Sequence, residues 1–239
     1  MSDIVLLAEK HDLPGLGDIL KRQDPGVKLT GVSNRTELEA ATVNPAPALR
    51  LICFCTGVIV PGAVLQRLHG PSYNFHPGPP DYRGIYPAVF AIYNNARQFG
   101  ATAHEITESV DDGAIVALDL VDMPENIDRL NLEALSRQLV TGLFVRLAPQ
   151  LIGSGDPLSP VDTQWSGRTW TRKDFDELCL LPDDITAEEF ARRHRALGEG
   201  PEHAITLQRF GRRFSLDPVP GDGQIYKGGN AVGTDTRDT

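Results

Sequence analysis

Short, continuous apolar runs alternate with helical segments along the first half of this chain, and this alternation constrains the fold more than any other feature. The runs Ile4–Ala8 and Leu51–Cys55 are apolar at every position, as expected of parallel strands covered on both faces. Between them, apolar residues recur at helical spacing over Leu13–Arg22, and a turn leads into another strand-like run, Val27–Val32. The pattern predicts an α/β fold with a doubly wound, mostly parallel sheet.

The same alternation continues before the chain changes character. We predict further helices and strands in the following places: helices over Thr36–Ala41, Pro61–Leu68, Pro87–Asn95 and Leu130–Leu151, and strands over Ser72–Phe75, Gly100–Ile106 and Ala114–Leu120. The small residues and the proline of Gly153–Pro157 break the last helix, so residues 1–155 are predicted to form one domain.

The remainder is predicted to form a small α+β appendage over residues 156–217. Its helix begins at Thr186, which forms a capping-box motif with Glu189, and two strands are predicted over Ala204–Leu207 and Arg213–Leu216. Residues 218–239 hold five glycines and two prolines with little apolar pattern. We therefore predict a flexible tail there.

The charge balance disfavours nucleic acid as a partner. The chain has 23 Lys and Arg residues against 32 Asp and Glu residues, a net charge of −9, and such a chain repels a phosphate backbone unless a basic patch is strongly localised. No apolar run reaches the length of a membrane span, and no basic segment precedes the first one. We therefore expect a cytoplasmic protein that binds neither nucleic acid nor membranes.

The three cysteines and the absence of several common motifs limit the metal sites and enzyme classes that are possible. Cys53, Cys55 and Cys179 are an odd number in a long chain, and no further ligands follow the Cys-x-Cys pair, so we interpret all three as reduced thiols without a metal. The sequence has no G-x-G-x-x-G after the first run, no Walker motif, no G-x-S-x-G and no H-E-x-x-H. The sequence therefore lacks the motifs that usually indicate a dehydrogenase, a P-loop kinase, a serine hydrolase or a zincin.

Two polar residues at a predicted strand end are the first candidates for chemistry. Asn74 and His76 are two residues apart, so their side chains leave the same face of the strand. Pro77 ends that strand, and open α/β sheets bind ligands in the crevice beyond their strand ends. An Asn amide can donate to a developing negative charge, and a His can act as acid or base near neutral pH.

A second loop carries a cluster of carboxylates. His104 leads into a segment with Glu105, Glu108, Asp111 and Asp112, which could close over the first loop. A His, a carboxylate and an Asn together suit acyl transfer. The spacing alone is equally compatible with a capped turn and a solvated acidic loop.

An ordered set of motifs then resembles a known family. Four motifs follow one another over about 50 residues: NFHPG, Arg83-Gly84, YPAVFAIYN and GATAHEITESVDDGAIV. Together they resemble the 10-formyltetrahydrofolate-dependent formyltransferases. That family includes glycinamide ribonucleotide, methionyl-tRNA and amino-sugar formyltransferases. The resemblance implies that Asn74, His76 and Asp111 are the catalytic residues, since Asp111 lies seven residues after His104 and just before a glycine-containing turn.

The resemblance also implies a mechanism and a donor. The neutral amine of an acceptor would attack the formyl carbon of 10-formyltetrahydrofolate without a metal, while Asn74 and a protonated His76 stabilise the tetrahedral oxyanion. Asp111 would keep His76 charged and help to remove the amine proton. The residues expected to bind the folate are Phe54, Thr56, Val58, His104, Thr107, Asp112 and Gly113.

The acceptor is expected to be a nucleotide-linked amino sugar. Residues 76–80, His-Pro-Gly-Pro-Pro, depart from the H-P-S-L-L-P of tRNA-directed enzymes, and Lys173–Cys179 and Arg193–Leu197 resemble the C-terminal part of amino-sugar N-formyltransferases. The basic run Arg192–Arg195 is either a solvated helix face or a pyrophosphate contact.

Four alternatives stay open at this point. They are formyl transfer to another small amine, hydrolysis of the formyl donor, a metal-dependent hydrolase that uses His76, His104 and Asp111 as ligands, and a non-catalytic folate- or nucleotide-binding module. A homodimer is an open option for the oligomeric state.

Overall fold

A six-stranded sheet forms the centre of the N-terminal part in this computed structural model, which describes residues 3–153, 156–198 and 205–216. Its strands are β1 (Asp3–Ala8), β2 (Lys28–Val32), β3 (Arg50–Phe54), β4 (Tyr73–His76), β5 (Gln98–Glu105) and β6 (Ile115–Asp122). They lie in the order β2-β1-β3-β4-β5-β6, and β5 runs against the other five. The predicted doubly wound, mostly parallel α/β fold is confirmed.

The predicted helices of the N-terminal part are also present. They are α1 (Leu13–Gln23), α2 (Arg35–Ala41), α3 (Gly62–Leu65), α4 (Pro87–Tyr93) and α5 (Arg129–Ile152), with a 3₁₀ turn at Pro80–Tyr82. The helix predicted over Pro61–Leu68 is shorter, because Arg67 and Leu68 donate to carbonyls three residues back and continue the chain in tighter turns. Within the described ranges, no helix combines the length and apolar character needed to cross a membrane.

The core explains why the apolar runs are continuous. In β1, Leu6 packs on the face covered by α1 and α5, while its neighbour Leu7 packs on the opposite face with α2 and α3. On the first face, the ring of Phe144 on α5 lies 5.6 Å from that of Phe54 and 5.0 Å from that of Phe75, between centroids. Because helices cover both faces of the sheet, these strands have no solvent-exposed side, and their residues need not alternate between polar and apolar.

The cysteines lie among these elements and form no disulfide with one another. Cys53 is buried in β3, and Cys55 follows that strand. Burial raises the pKa of both thiols, which keeps them protonated and unreactive near neutral pH. This agrees with their interpretation as structural thiols.

A smaller α+β unit follows. It contains α6 (Arg172–Cys179), β7 (Leu180–Leu181), α7 (Ala187–Leu197), β8 (Thr206–Arg209) and β9 (Arg212–Ser215), with the three strands in the order β7-β8-β9. The predicted closing strands are therefore both present, with boundaries that differ by one or two residues. Ala204 and the predicted tail, residues 218–239, lie outside the described residues.

The appendage shares an apolar cluster with α4. Phe175 and Leu197 from the appendage pack in one buried cluster with Val89 and Phe90 of α4 and with Phe99 of β5. The division at residue 155 stays a prediction. This shared cluster shows that the appendage is packed against the N-terminal part rather than tethered to it.

Two side chains of the basic run of α7 strengthen that contact, and a third binds within the appendage. Arg192 stacks 3.9 Å above the ring of Tyr93 on α4, and Arg193 donates to the Leu180 carbonyl at 2.9 Å. Arg195 donates to a backbone carbonyl near the end of α4. All three side chains contact protein groups, Arg192 and Arg195 remain exposed, and a pyrophosphate contact by this run stays a prediction.

Only half of the capping box predicted at Thr186 forms. The Thr186 hydroxyl accepts from the Glu189 N–H at 3.2 Å, but the Glu189 carboxylate accepts from the Tyr93 hydroxyl at 2.8 Å instead of capping the helix. A complete capping box occurs at the start of α6, between Thr171 and Asp174. The contact to Tyr93 joins elements 96 residues apart in sequence, which a local motif cannot anticipate.

One glycine is required where the appendage meets the N-terminal part. Gly84 has φ +95° and pairs with Trp170 in an isolated parallel bridge, and a Cβ placed on it would lie 2.2 Å from the Trp170 carbonyl oxygen. We predict that Gly84→Ala lowers the free energy of unfolding by about 2–4 kcal/mol, because backbone strain and the steric clash both oppose it.

Denaturant unfolding measures the effect, with Gly142→Ala as the matched control. Gly142 lies exposed in the middle of α5 with open space around its Cβ position, so alanine there is expected to stabilise by about 0.5–1 kcal/mol. Equal unfolding free energies for Gly84→Ala and the unmodified protein would contradict the prediction.

Candidate active site

Two neighbouring strands bring the predicted polar residues together. Asn74 and His76 lie at the carboxyl end of β4, and in the antiparallel register with β5 they face His104 and Thr102, respectively. The Asn74 amide nitrogen lies 3.1 Å from His104 Nε2. The strand was predicted to end before His76. It includes His76 because this residue still pairs with β5.

The loop between β5 and β6 adds the carboxylate. Asp111 has φ +44°, a left-handed backbone conformation that is uncommon for a residue other than glycine. Its oxygens lie 3.2 Å from Asn74 Nδ2, 3.4 Å from His76 Nδ1 and 3.2 Å from His104 Nε2, and they accept from the Gly84 N–H at 2.8 Å. The structure therefore joins the three residues predicted to be catalytic through one buried carboxylate.

Burial and charge act in opposite directions on this cluster. Burial opposes ionisation of Asp111, but the facing His76, the contact with His104 and the Gly84 N–H together hold its pKa well below the usual range. Burial also lowers the pKa of His76, and the Asp111 charge and the Tyr82 carbonyl offset this only in part. Burial thus opposes the charged imidazole while the Asp111 carboxylate favours it, and the expectation that Asp111 keeps His76 charged stays a prediction.

Both ring nitrogens of His76 face acceptors. Nδ1 lies 3.4 Å from the Asp111 carboxylate, and Nε2 lies 3.0 Å from the carbonyl of Tyr82. A neutral imidazole carries one N–H, so one of these contacts has no proton, whereas an imidazolium satisfies both. The ring is consequently placed to accept a proton that a reaction releases.

His104 is a buried member of this cluster. Its side chain is 3% exposed, and Nδ1 lies 2.7 Å from the Glu105 carbonyl oxygen. Its Nε2 lies 3.1 Å from the Asn74 amide nitrogen and 3.2 Å from Asp111 Oδ1, and the tautomer decides whether it accepts from the first or donates to the second. His76 is equally buried, so burial does not separate the two rings, and the folate contact of His104 stays a prediction.

Of the three residues at or after the end of β3 that are predicted to bind folate, one is buried and two are partly accessible. Phe54 is 1% exposed and packs in the core against Phe75 and Phe144, so its side chain is not available to a ligand. Thr56 and Val58 are only partly buried, and the Thr56 hydroxyl accepts from the Val58 N–H at 3.1 Å. This pair remains a predicted ligand contact at the strand end.

The second predicted folate-binding segment lies at the surface. Thr107 and Asp112 are exposed, and Asp112 forms a 2.7 Å ion pair with Arg83 that joins the loop after His76 to the loop that carries Asp111. Gly113 is buried, and a Cβ there would lie 2.0 Å from the Glu105 carbonyl oxygen. Glycine is needed at this position because the two backbone segments approach so closely. The presence of Gly113 therefore needs no ligand contact to explain it.

Several groups at the site were not anticipated. The Tyr82 carbonyl and the Gly84 N–H hold His76 and Asp111, and the Trp165 indole packs beside both His rings. Only Gly84 had a sequence signal, because it belongs to the Arg83-Gly84 motif.

Gly78, in the loop after His76, has a steric role. A Cβ on Gly78 would lie 2.7 Å from His76 Nε2 and 2.6 Å from Pro87 Cβ. The His-Pro-Gly-Pro-Pro sequence therefore leaves room for the observed position of the imidazole.

The arrangement does not resemble a metal centre. His76 and His104 both contact Asp111, yet residues 3–153, 156–198 and 205–216 include no group of three or more His, Cys, Asp or Glu side chains placed to hold a metal ion. The residues that could serve the reaction are an amide, an imidazole and a carboxylate. This set supports acid–base chemistry at a carbonyl carbon.

Comparisons with known proteins agree with this chemistry. The family model described as formyl transferase matches residues 6–144, more than half of the chain. A methionyl-tRNA formyltransferase from Ehrlichia ruminantium (strain Gardel) is 30% identical over 150 residues, which cover 62% of this chain and 47% of that protein. The chain thus spans about half the length of the curated relatives it matches.

Solved structures share the fold over a larger part of the chain. A sugar N-formyltransferase from Shewanella sp. FDAARGOS_354 superposes with a TM-score of 0.75 at 20% identity, covering 90% of this chain and 96% of that one. An N-formyltransferase from Helicobacter canadensis, solved with folinic acid and dTDP-3-aminofucose, superposes with a TM-score of 0.63 at 16% identity, covering 86% of each chain.

Proposed function

Because the chain belongs to the formyl transferase family, we propose that it transfers a formyl group from 10-formyltetrahydrofolate to the primary amine of a small acceptor. The observation that carries this proposal is the Asp111 carboxylate, which contacts both Asn74 and His76 at the carboxyl end of β4. The Helicobacter canadensis protein, solved with folinic acid, supports a folate as the donor.

The donor would lie between the segment after β3 and the loop after β5. These two segments approach each other, since a Cβ placed on Gly62 would lie 3.0 Å from the Glu108 carboxylate. Thr56 and Val58 on one side and Thr107 and Asp112 on the other are the accessible groups that would hold it. When bound, the donor supplies a formyl carbonyl attached to a nitrogen leaving group.

The residues of this chain account for the proton and charge changes of the transfer. A new bond forms between the acceptor nitrogen and the formyl carbon, the bond from that carbon to the folate nitrogen breaks, and one proton passes from the first nitrogen to the second. His76 accepts the amine proton and returns it to the leaving nitrogen, and Asp111 stabilises the transient imidazolium. Asn74 donates to the formyl oxygen as negative charge develops there.

Donation from Asn74 requires an exchange of partners. In this structure its amide nitrogen lies within hydrogen-bonding distance of both Asp111 and His104. One of these two contacts must open when a substrate oxygen arrives. A protonated His76 would draw the Asp111 carboxylate toward itself and release the amide.

A nucleotide-linked amino sugar is the proposed acceptor. The Helicobacter canadensis protein was solved with dTDP-3-aminofucose, and the Shewanella protein is described as a sugar N-formyltransferase. The net charge of −9 argues against a polyanionic tRNA. Methionyl-tRNA is the second candidate, because curated relatives at 24–32% sequence identity are methionyl-tRNA formyltransferases.

The test is to measure tetrahydrofolate production from 10-formyltetrahydrofolate by the purified chain. The acceptors compared are a panel of amino-sugar nucleotides, glycinamide ribonucleotide and methionyl-tRNA, with a reaction lacking acceptor to detect hydrolysis. We predict turnover with at least one amino-sugar nucleotide and none with the other two acceptors.

Each alternative gives a different result in that assay. Turnover only with tRNA or glycinamide ribonucleotide would refute the sugar acceptor and preserve formyl transfer. Equal turnover with and without acceptor would indicate donor hydrolysis. Binding of the folate with no release of its formyl group under any condition would indicate a non-catalytic binding module.

A further inference from the structure

One aromatic residue outside the family's matched region packs against both histidines of the site. The Trp165 ring lies edge-on to His104, with centroids 4.9 Å apart and planes at 86°, and edge-on to His76, at 6.1 Å and 72°. Its indole N–H donates to the Gly113 carbonyl at 2.7 Å. Trp165 therefore contacts the imidazoles and also fastens the loop that carries Asp111.

Trp165 belongs to a segment that runs beside the site, which we call the strap (residues 156–171). Before Trp165, the Val161 N–H donates to the Ile115 carbonyl of β6 at 2.8 Å. After it, the Ser166 N–H donates to the Pro80 carbonyl at 3.3 Å, in the loop that follows His76. The strap is thus held by the start of β6, which follows the Asp111 loop, and by the loop that follows His76, with Trp165 between these two attachments.

We propose that Trp165 is a positioning residue for formyl transfer, which holds the Asp111 loop and the His76 ring in their reactive arrangement and excludes water from that side. The inference rests on the proposed function, because it assigns the residue a part in that reaction. The chemistry itself remains with Asn74, His76 and Asp111.

The loop needs such support because of its backbone. Asp111 is held in the left-handed region at φ +44°, which costs of the order of 1 kcal/mol for a residue other than glycine and persists only where surrounding contacts impose it. The Gly113 carbonyl lies two residues away and accepts the Trp165 N–H. Loss of this bond removes one of the contacts that impose the conformation.

The environment of His76 explains the second part of the proposal. The titratable groups that face this ring are Asp111 from the β5–β6 loop and His104 from β5, and the Tyr82 carbonyl faces Nε2. Trp165 adds an apolar edge on a further side. Burial lowers the pKa of His76, so entry of water in place of the indole should move that pKa back toward its ordinary value.

Two substitutions separate the functions of the ring and the N–H. Trp165→Phe keeps an aromatic edge and loses the donor, and Trp165→Ala loses both. We expect Trp165→Ala to lower kcat by about 10–100-fold, the size reported for small misplacements of catalytic groups, and Trp165→Phe to lower it less. Gln164→Ala, at an exposed neighbouring position of the strap, is the matched control and should keep the kcat of the unmodified protein.

A second measurement does not depend on turnover. Titration of the His76 ring by NMR in the free protein, assigned with His76→Asn, should show a higher midpoint in Trp165→Ala than in the unmodified protein or in Gln164→Ala. The proposal stands if Trp165→Ala both lowers kcat and raises this midpoint. An unchanged kcat or an unchanged midpoint in the folded variant overturns it.

The remaining outcomes are also decisive. If Trp165→Ala fails to fold, Trp165→Phe decides, since a lowered kcat supports the proposal and an unchanged kcat overturns it. If the unmodified protein transfers no formyl group to any acceptor, the proposed function fails. The titration midpoint then still shows whether Trp165 shields His76, so the two failures are distinguishable.

Discussion

Asp111→Asn is expected to lower kcat/KM for formyl transfer by roughly a hundredfold or more while the sheet still forms. The carboxylate faces His76, Asn74 and His104 and accepts from the Gly84 N–H. An asparagine there carries no charge to stabilise a protonated His76, and its amide hydrogens would face groups that themselves donate. His76→Ala, which removes the proton acceptor, is expected to lose at least as much activity.

The measurement is steady-state release of tetrahydrofolate with the best acceptor, together with circular dichroism to establish that each variant is folded. Asp162→Asn is the control, because Asp162 is an exposed carboxylate of the strap and its loss should leave kcat/KM unchanged. Turnover by folded Asp111→Asn within threefold of the unmodified protein would remove Asp111 from the mechanism.

The second large effect is expected at Asn74, where substitution by Asp should lower the activity more than substitution by Ala. Asn74→Ala removes a donor to the developing oxyanion, which typically lowers kcat by about 100–1000-fold. Asn74→Asp places a second carboxylate about 3 Å from that of Asp111, where two ionised groups repel strongly. We therefore expect Asn74→Asp to be at least roughly tenfold less active than Asn74→Ala near neutral pH.

A comparison of the two variants across pH tests the reason as well as the result. Lower pH should protonate one of the paired carboxylates in Asn74→Asp and narrow its difference from Asn74→Ala. Asn126→Asp, at an exposed position before α5, is the control for adding one negative charge. Asn74→Asp that is more active than Asn74→Ala would show that Asn74 does not act as a donor.

Much of the fold follows from local patterns. Ile4–Ala8 and Leu51–Cys55 had to be covered on both faces because they contain no polar alternation, and the structure places helices on both faces of their strands. The position of β5 was not predictable in this way. Its antiparallel direction comes from pairing with both β4 and β6, which depends on residues distant in the sequence.

The candidate site likewise contains residues whose positions local patterns predict and residues whose positions they do not. Asn74 and His76 share a face because strands have a period of two, so their proximity was predictable. Asp111 was identified through the resemblance alone, since its position depends on a left-handed residue inside a loop that local preferences disfavour. For Phe54 the sequence could not decide, because an apolar residue at a strand end can face either the core or a ligand, and its side chain packs in the core against Phe144.

The cluster shared by α4 and the appendage bears on how this architecture can diversify. Helix α4 is buried along its whole length except for its last residue, and Phe175 and Leu197 cover part of it. A chain ending before the strap would expose that apolar surface to water, a loss of about 25 cal/mol for each Å². Modular recombination, in which one catalytic unit acquires a new specificity unit by gene fusion, is therefore disfavoured here. A replacement for the appendage would have to cover the same face of α4.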